Sequence, residues 1–196
     1  MLRGSLVSVP ADQGDGRPPG ETTRDAAAEF LFPGGGVADE DAALVAEWVR
    51  LLRGTASFDA FADALELLLG VLTGRRELDR ASRVARERVA VCRELEDPDR
   101  LLDALFQQAV LRVGDVNRAI ELQREHERRC RAIGGEDGRL ARSLALRALL
   151  QRIAGVYNLA RDSLEEARAL AAGSGDPDCL EDLEALDAIP TAPPPQ

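Results

Sequence analysis

The sequence predicts an all-α protein built from repeated helical hairpins. One observation is that three alanines recur at nearly equal intervals, at Ala81, Ala119 and Ala160. A second is that Asp97, Asp137 and Asp176 recur at almost the same interval. The third is that no segment alternates polar and apolar residues, as a half-buried strand would. Two independent markers that share one period of about 40 residues are typical of stacked supersecondary units.

The chain begins with a segment that is predicted to be a disordered arm, residues 1–37. Positions 1–21 include Gly-Asp-Gly-Arg-Pro-Pro-Gly and lack any helical period. Within the arm, Thr22–Phe32 is a candidate short helix, capped by Thr22 or Thr23 and stopped by the Pro-Gly-Gly-Gly that follows. Three interpretations stay open for it: docking on its own domain, docking on a partner, or disorder.

Residues 38–189 are predicted to form the repeat domain. The first helix, Asp39–Arg53, carries a wide apolar stripe and ends at Gly54. Trp48 lies in that stripe and is predicted to face the core. Stacking of a ligand against Trp48 is a weaker alternative.

Three hairpins are predicted next, at 57–95, 99–133 and 138–172. Ser57 caps the first, and Asp97-Pro98 combines a capping residue with a proline that suits the first helical position. In the second helices, as in the first, apolar residues recur at three- and four-residue spacing. A last helix, 177–189, has acidic residues on one side and suits an end cap. A Pro-rich tail, 190–196, follows.

Composition limits the function. The net charge of −10 argues against general binding to nucleic-acid phosphates, which needs a basic face. No apolar run is long enough for a membrane span, and no apolar core of signal-peptide length comes before the polar Ala11–Asp15. The three cysteines have neither disulfide nor zinc spacing, so a reducing cytoplasm is expected. All 25 basic residues are arginine, which together with Ala, Gly and Pro usage indicates high-GC coding, as in many bacteria.

Nothing in the sequence marks a catalytic, cofactor or metal site. His126 has no nucleophile near it and is interpreted as a hydrogen-bonded packing residue. Cys92 and Cys130 occupy equivalent repeat positions and are interpreted as small core residues. No glycine-rich phosphate loop follows a strand. A non-enzymatic protein without a cofactor is therefore predicted.

A family resemblance rests on the stretch Gly114-Asp115-Val116-Asn117-Arg118-Ala119-Ile120. It resembles the junction of tetratricopeptide repeats, where a glycine closes the first helix and a small alanine on the second lets the helices approach. Phe106 and Leu68 fit the large apolar position of the first helix. The resemblance covers roughly 57–178, with a period longer than the commonest and with Arg76 in place of the glycine in the first repeat.

The resemblance implies a right-handed α-solenoid of three hairpins with flanking helices, whose first helices line a groove for a protein or peptide. It places six residues in that groove: Asp63, Glu66, Gln108, Arg112, Arg147 and Gln151. A scaffold or adaptor function is predicted. The alternatives are a peptide-sensing module of a bacterial signalling or transcriptional system and a unit that self-associates.

A run of arginines between 118 and 152 is the remaining charged feature. Pairing with glutamates of the same helix at three- or four-residue spacing explains it most simply. A patch for an acidic peptide or a carboxylate terminus is an alternative, because guanidinium groups bind carboxylates with two parallel hydrogen bonds. Nucleic acid is a third, disfavoured by the overall charge.

Overall fold

The computed structural model describes residues 39–54, 57–135, 137–175 and 177–188. These ranges contain only α-helices, so the all-α prediction is confirmed for them. The predicted arm with its Thr22–Phe32 helix and the Pro-rich tail lie outside the described residues. The helices are α1 (Asp39–Leu52), α2 (Phe58–Gly74), α3 (Leu78–Glu94), α4 (Pro98–Leu111), α5 (Val116–Ile133), α6 (Asp137–Ile153), α7 (Tyr157–Ser174) and α8 (Pro177–Asp187).

Side-chain caps begin several of the helices. The Asp97 carboxylate accepts hydrogen bonds from the backbone N–H groups of Asp99 (3.0 Å) and Arg100 (3.1 Å), directly before the proline that opens α4. The Ser57 hydroxyl accepts from the Ala60 N–H at 3.4 Å, and Asp115 caps α5 in the same way. These bonds satisfy N–H groups that have no partner within the helix. The helix pairs α2/α3, α4/α5 and α6/α7 thus span 58–94, 98–133 and 137–174.

Each helix packs on the next in the chain, and the small alanines lie at the crossings. Ala81 and Ala119 are fully buried and Ala160 nearly so. Two hydrophobic clusters result, one mainly in α1 to α5 and one mainly in α6 to α8 with one residue each from α4 and α5. Helix α6 joins them, because Leu146 and Leu150 belong to the first cluster and other leucines of the same helix to the second. Its apolar residues therefore surround the helix instead of forming one stripe.

The second helices are joined by ion pairs that follow the repeat. An arginine at or near the end of one helix binds a glutamate in the middle of the next second helix: Arg53–Glu87 at 2.8 Å, Arg93–Glu125 at 3.0 Å and Arg131–Glu166 at 2.5 Å. The arginines and the glutamates both recur at the interval of the repeat. Since the first of these arginines directly follows α1, this helix occupies the place of a second helix.

The first helices are joined by a similar series of contacts that also follows the repeat. Arg100 at the start of α4 lies 3.1 Å from Asp63 of α2, and Arg139 at the start of α6 lies 2.5 Å from Asp99 of α4. One repeat interval after Arg139, the Cys179 thiol of α8 lies 3.6 Å from the Gly138 carbonyl. Helix α8 therefore occupies the place of a further first helix. Exposed ion pairs add at most about 1 kcal/mol each to stability. Their main effect is therefore to fix which turns of neighbouring helices lie side by side.

The prediction that Trp48 faces the core is wrong. Its side chain is 40% exposed, and Leu44 and Leu51 on the same face of α1 are 69% and 59% exposed. Val49 is the residue of α1 that is buried. The reason is that α1 has helical neighbours on one side only within the described ranges, namely α2 and, through the Arg53 ion pair, α3.

Burial predicts a contrast between two leucines of α2. Leu65 is fully buried, whereas Leu67 is half exposed. We expect Leu65→Ala to lower the free energy of unfolding by about 2–5 kcal/mol and Leu67→Ala, its matched control, by under about 0.5 kcal/mol. Urea titration followed by circular dichroism measures both. Equal unfolding midpoints for the two variants would contradict the packing described.

Candidate functional site

The exposed sides of α2 and α4, the first helices of the first two hairpins, carry carboxylates at equivalent positions of the repeat. On α2 the spacing of four and three residues places Asp59, Asp63 and Glu66 on one face of the helix. On α4 the equivalent positions, one repeat later, are Asp99, Asp103 and Phe106. We call this surface the first-helix face; it also includes the neighbouring side chains of Leu67 and Gln107.

Three arginines hold the first-helix face together. The Arg100 guanidinium lies within 3.6 Å of Asp59 and 3.1 Å of Asp63, and Arg139 lies 2.5 Å from Asp99 and 3.8 Å from Asp103. Each therefore joins the first helices of two neighbouring hairpins. The two aspartates of each first helix are four residues apart and therefore lie one turn from each other. One guanidinium at the start of the following first helix reaches both of them.

Arg88 also joins α2 and α4. It lies on α3 and is almost completely buried, and its guanidinium donates to Glu66 of α2 and to the Gln107 side chain of α4, both at 2.7 Å. A buried cation requires such partners, because removing it from water is costly.

The carboxylates of the face are more exposed than the arginines that bind them. The side chains of Asp59, Asp63, Glu66, Asp99 and Asp103 are 51–72% exposed. Those of Arg100, Arg139 and Arg88 are 34%, 31% and 2% exposed. Five acids against three bases leave a surplus of negative charge, and the negative groups are the ones presented to solvent.

Burial raises the pKa of Asp103 above its ordinary value, although the charge of Arg139 acts in the opposite direction. Although half of the Asp103 side chain is exposed, its ionised form is therefore less favoured than that of a free aspartate.

The structure does not bring the six predicted groove residues to one surface. Asp63 and Glu66 lie on the first-helix face. Gln108 is only 4% exposed and offers almost no surface to a ligand. Arg112 is the residue that follows α4, partly buried, and its Nε has no hydrogen-bond partner among the described residues. On α4 the exposed side runs instead through Asp99 and Asp103.

Arg147 and Gln151 belong to a polar cluster between α5, α6 and α7. Arg147 lies 2.6 Å from Glu127 and 3.1 Å from the Ser163 hydroxyl, which in turn donates to Gln151 at 2.8 Å. These groups are bound to one another. The structure therefore does not bring Arg147 to the same surface as Asp63 in a form that is available to a ligand.

His126 and Gln123 continue this cluster into the core. The His126 Nδ1 lies 2.8 Å from the Ser143 hydroxyl, and the Gln123 amide donates to the same hydroxyl at 2.6 Å and to Glu127 at 3.0 Å. Burial, together with the charge of Arg139, lowers the pKa of His126 to about 4. Burial raises the pKa of Glu127, against the effect of Arg147. The arrangement agrees with a packing role for the histidine.

The arginine run is largely paired. Arg118 binds Glu121 and Arg129 binds Glu125 within α5, as the spacing predicted. Arg124 and Arg128 are exposed and have no carboxylate within ion-pair distance in the part of the chain that the structure describes. They line an open depression of about 340 Å³ that is formed by the side of α5 alone. With a single helix as its wall, it encloses no ligand.

Among the described residues, no group of three His, Cys, Asp or Glu side chains is placed to hold a metal ion. Within the same ranges, no helix combines the length and the apolar character needed to cross a bilayer. Comparison of the chain with protein-family models, with curated proteins and with solved structures gives no match.

The carboxylates Asp59, Asp99 and Asp103 were missed by the sequence analysis. A signal for them exists, since Asp59 and Asp63 recur as Asp99 and Asp103 at the interval of the repeat. Tracing that interval, instead of the apolar pattern alone, would have placed the exposed side of α4 correctly.

The lowered pKa of His126 predicts a specific pH dependence. The folded protein binds a proton at this residue only near pH 4, whereas the unfolded chain does so near 6.5. Stability from this group is therefore complete above pH 6.5 and is lost as the pH falls toward 4. Between pH 6.5 and 4.5 the loss amounts to roughly 2 kcal/mol.

We expect His126→Gln, which keeps a hydrogen-bonding side chain beside Ser143, to remove that loss. Urea titrations of both proteins between pH 7 and 4.5 measure the difference. The other titrating groups, including Glu127 and Asp103, are common to both proteins and cancel. Parallel curves of unfolding free energy against pH would show that His126 is not buried in its neutral form.

Proposed function

We propose that the protein is a non-enzymatic interaction module, a scaffold or adaptor, that binds a basic segment of a partner protein or peptide along its first-helix face. The observation that supports this most is that the acids of that face are more exposed than the arginines that bind them. The five carboxylates point to solvent, while the arginines that join the helices are partly or fully buried beneath them. A ligand that approaches the face meets negative charge first.

The chemistry of the partner follows from the spacing of these acids. Asp59 and Asp63 form one pair and Asp99 and Asp103 another, on neighbouring helices whose axes lie about 8–10 Å apart. Lysine or arginine side chains of an extended segment can bind one pair each. The half-exposed Leu67 and the partly exposed Phe106 lie among the acids and offer apolar contact to the stems of long basic side chains.

The resemblance to tetratricopeptide repeats supports the same surface, because first helices line the ligand groove in that family. On that analogy we also propose that the helices wind into a right-handed solenoid. The reducing cytoplasm is the proposed compartment. Its support is that Cys92, Cys130 and Cys179 are buried thiols that form no disulfide.

A charge-neutralising pair of variants tests the proposal. Asp63→Asn with Asp103→Asn removes one carboxylate from each pair and leaves Asp59 and Asp99 to hold Arg100 and Arg139. Glu181→Gln with Glu184→Gln on α8 is the matched control, with the same change of net charge at acids elsewhere. Native protein and both variants are used as bait in a native lysate at low and moderate salt.

We expect a partner with a basic segment to bind the native protein and the α8 variant. It should bind the Asp63/Asp103 variant about tenfold more weakly, since two lost charge contacts are worth about 0.5–1 kcal/mol each. Added salt should weaken binding to the native protein. Equal recovery of every partner by the two variants would rule out the first-helix face. Thermal unfolding of both variants checks that the fold is unchanged.

A further inference from the structure

Helices α3 and α5 carry a charge balance opposite to that of the first helices beside them. Helix α2 contains three acids and no arginine, and α4 contains two acids and one arginine. By contrast, α3 and α5 each contain five arginines and three acids. In a chain with a net charge of −10, this surplus of arginine is local. Opposite charges on different faces of one molecule attract two copies of it where those faces meet.

Four exposed arginines of these two helices form no ion pair with a carboxylate among the residues that the structure describes. They are Arg83 and Arg86 on α3 and Arg124 and Arg128 on α5, and we call this surface the arginine face. A spacing of three or four residues places the two members of each pair about one turn apart. By contrast, each arginine of the ion-pair series along the second helices is held by a glutamate of the following second helix.

The repeat places the two halves of the arginine face on neighbouring helices. The interval from Arg93 to Arg131 also separates Arg86 from Arg124, so Arg86 and Arg124 occupy equivalent positions. The ion pair of Arg93 with Glu125, at 3.0 Å, joins the two helices directly. The surplus positive charge therefore extends over two helices of the stack.

The glutamates of α5 do not neutralise the arginine face. Each of the three is bound by an arginine other than Arg124 and Arg128, in the pairs Glu121–Arg118 at 2.6 Å, Glu125–Arg93 at 3.0 Å and Glu127–Arg147 at 2.6 Å. The guanidinium groups of Arg124 and Arg128 are therefore available to carboxylates from outside the chain, with which arginine forms charge-assisted hydrogen bonds.

The shape of this surface suits another protein surface better than a small ligand, because the depression beside Arg124 and Arg128 is open and has one helix as its wall. The first-helix face of the same chain has a corresponding arrangement of opposite charge. It presents two pairs of aspartates, each pair one turn apart, on helices one repeat apart. The arginine face presents two pairs of arginines that are also about one turn apart, on helices one repeat apart.

We propose that the first-helix face of one copy of the protein binds the arginine face of a second copy. This inference rests on the proposed function, because it names an occupant for the same acidic surface. The contact joins two different faces, so each copy of a pair keeps one face free and binds a further copy through it. Self-association then competes with a basic partner segment for Asp63 and Asp103, and the concentration of the protein regulates access to them.

Sedimentation equilibrium of the full chain tests the contact. At low salt we expect the average mass of the native protein to rise with its concentration from 21.1 kDa, one chain, to beyond two chains. Arg124→Gln with Arg128→Gln should lower the association constant about tenfold, since two charge contacts are lost. Arg50→Gln with Arg161→Gln is the matched control, at arginines of α1 and α7 that are 67% and 69% exposed, and it should associate like the native protein.

A mixture of two variants identifies the faces that meet. Asp63→Asn with Asp103→Asn weakens the acidic face and keeps the arginine face, whereas the Arg124/Arg128 variant keeps the acidic face. Each variant alone should associate about tenfold more weakly than the native protein. Their equal mixture restores one native contact, so its average mass should rise to that of two chains. It should then stop, because the free faces of this pair are the altered ones.

Three results would overturn the proposal. One is a native protein that keeps the mass of one chain at every concentration. Another is equal association of the Arg124/Arg128 variant and the Arg50/Arg161 control. The third is a mixture that associates no better than its two components, which would place the contact on other faces.

These failures are distinguishable from a failure of the proposed function. If the native protein is monomeric but loses a basic partner on Asp63→Asn with Asp103→Asn, the acidic face still binds and only the self-association is wrong. If a monomeric native protein retains an acidic protein or a nucleic acid that the Arg124/Arg128 variant does not, the arginine face belongs to that partner, which also contradicts the proposal.

Discussion

The structure depends on one constraint: a helical hairpin cannot bury its apolar face alone, so each must pack on the next. Small residues at the crossings, Ala81 and Ala119 among them, let the axes approach closely enough for the leucines around them to interlock. Helix α6 shows the result most clearly, since it contributes leucines to both hydrophobic clusters. The first-helix face exists only because this stacking brings successive first helices side by side.

Charge follows the same repeat and gives the two sides of the stack different characters. On the second helices, exposed arginines and glutamates pair along the whole series from Arg53 to Glu166. On the first helices, Arg100 and Arg139 each hold two carboxylates that remain more exposed than the guanidinium between them. The first helices therefore present more acids than bases to solvent, which is the basis of the proposed binding of a basic segment.

The sequence predicted the helices well because their signals are local. Asp97 followed by a proline and the recurring alanines each act within one or two turns, and the structure contains them as expected. The exposed side of α4 was harder, since a helix turns by about 100° per residue and an error of one or two positions moves a side chain from surface to core. Gln108, which was predicted to line the groove, is buried for this reason. The polar cluster of Arg147 was not predicted for another reason: its partners Glu127 and Ser163 come from two other helices, and no local pattern reveals such a cluster. Trp48 was assigned to the core from its apolar character, although burial depends on whether a neighbour is present.

Native-state hydrogen exchange tests the stacking account most directly. If each hairpin is stabilised by its neighbours, the slowest amides lie in α4 and α5, which have a hairpin on both sides, and protection decreases toward α1 and α8. A profile in which α1 or α8 exchanges as slowly as α4 would contradict the account. Stability would then come from individual helices or from contacts outside the repeat, and the alignment of the first-helix face would have another cause.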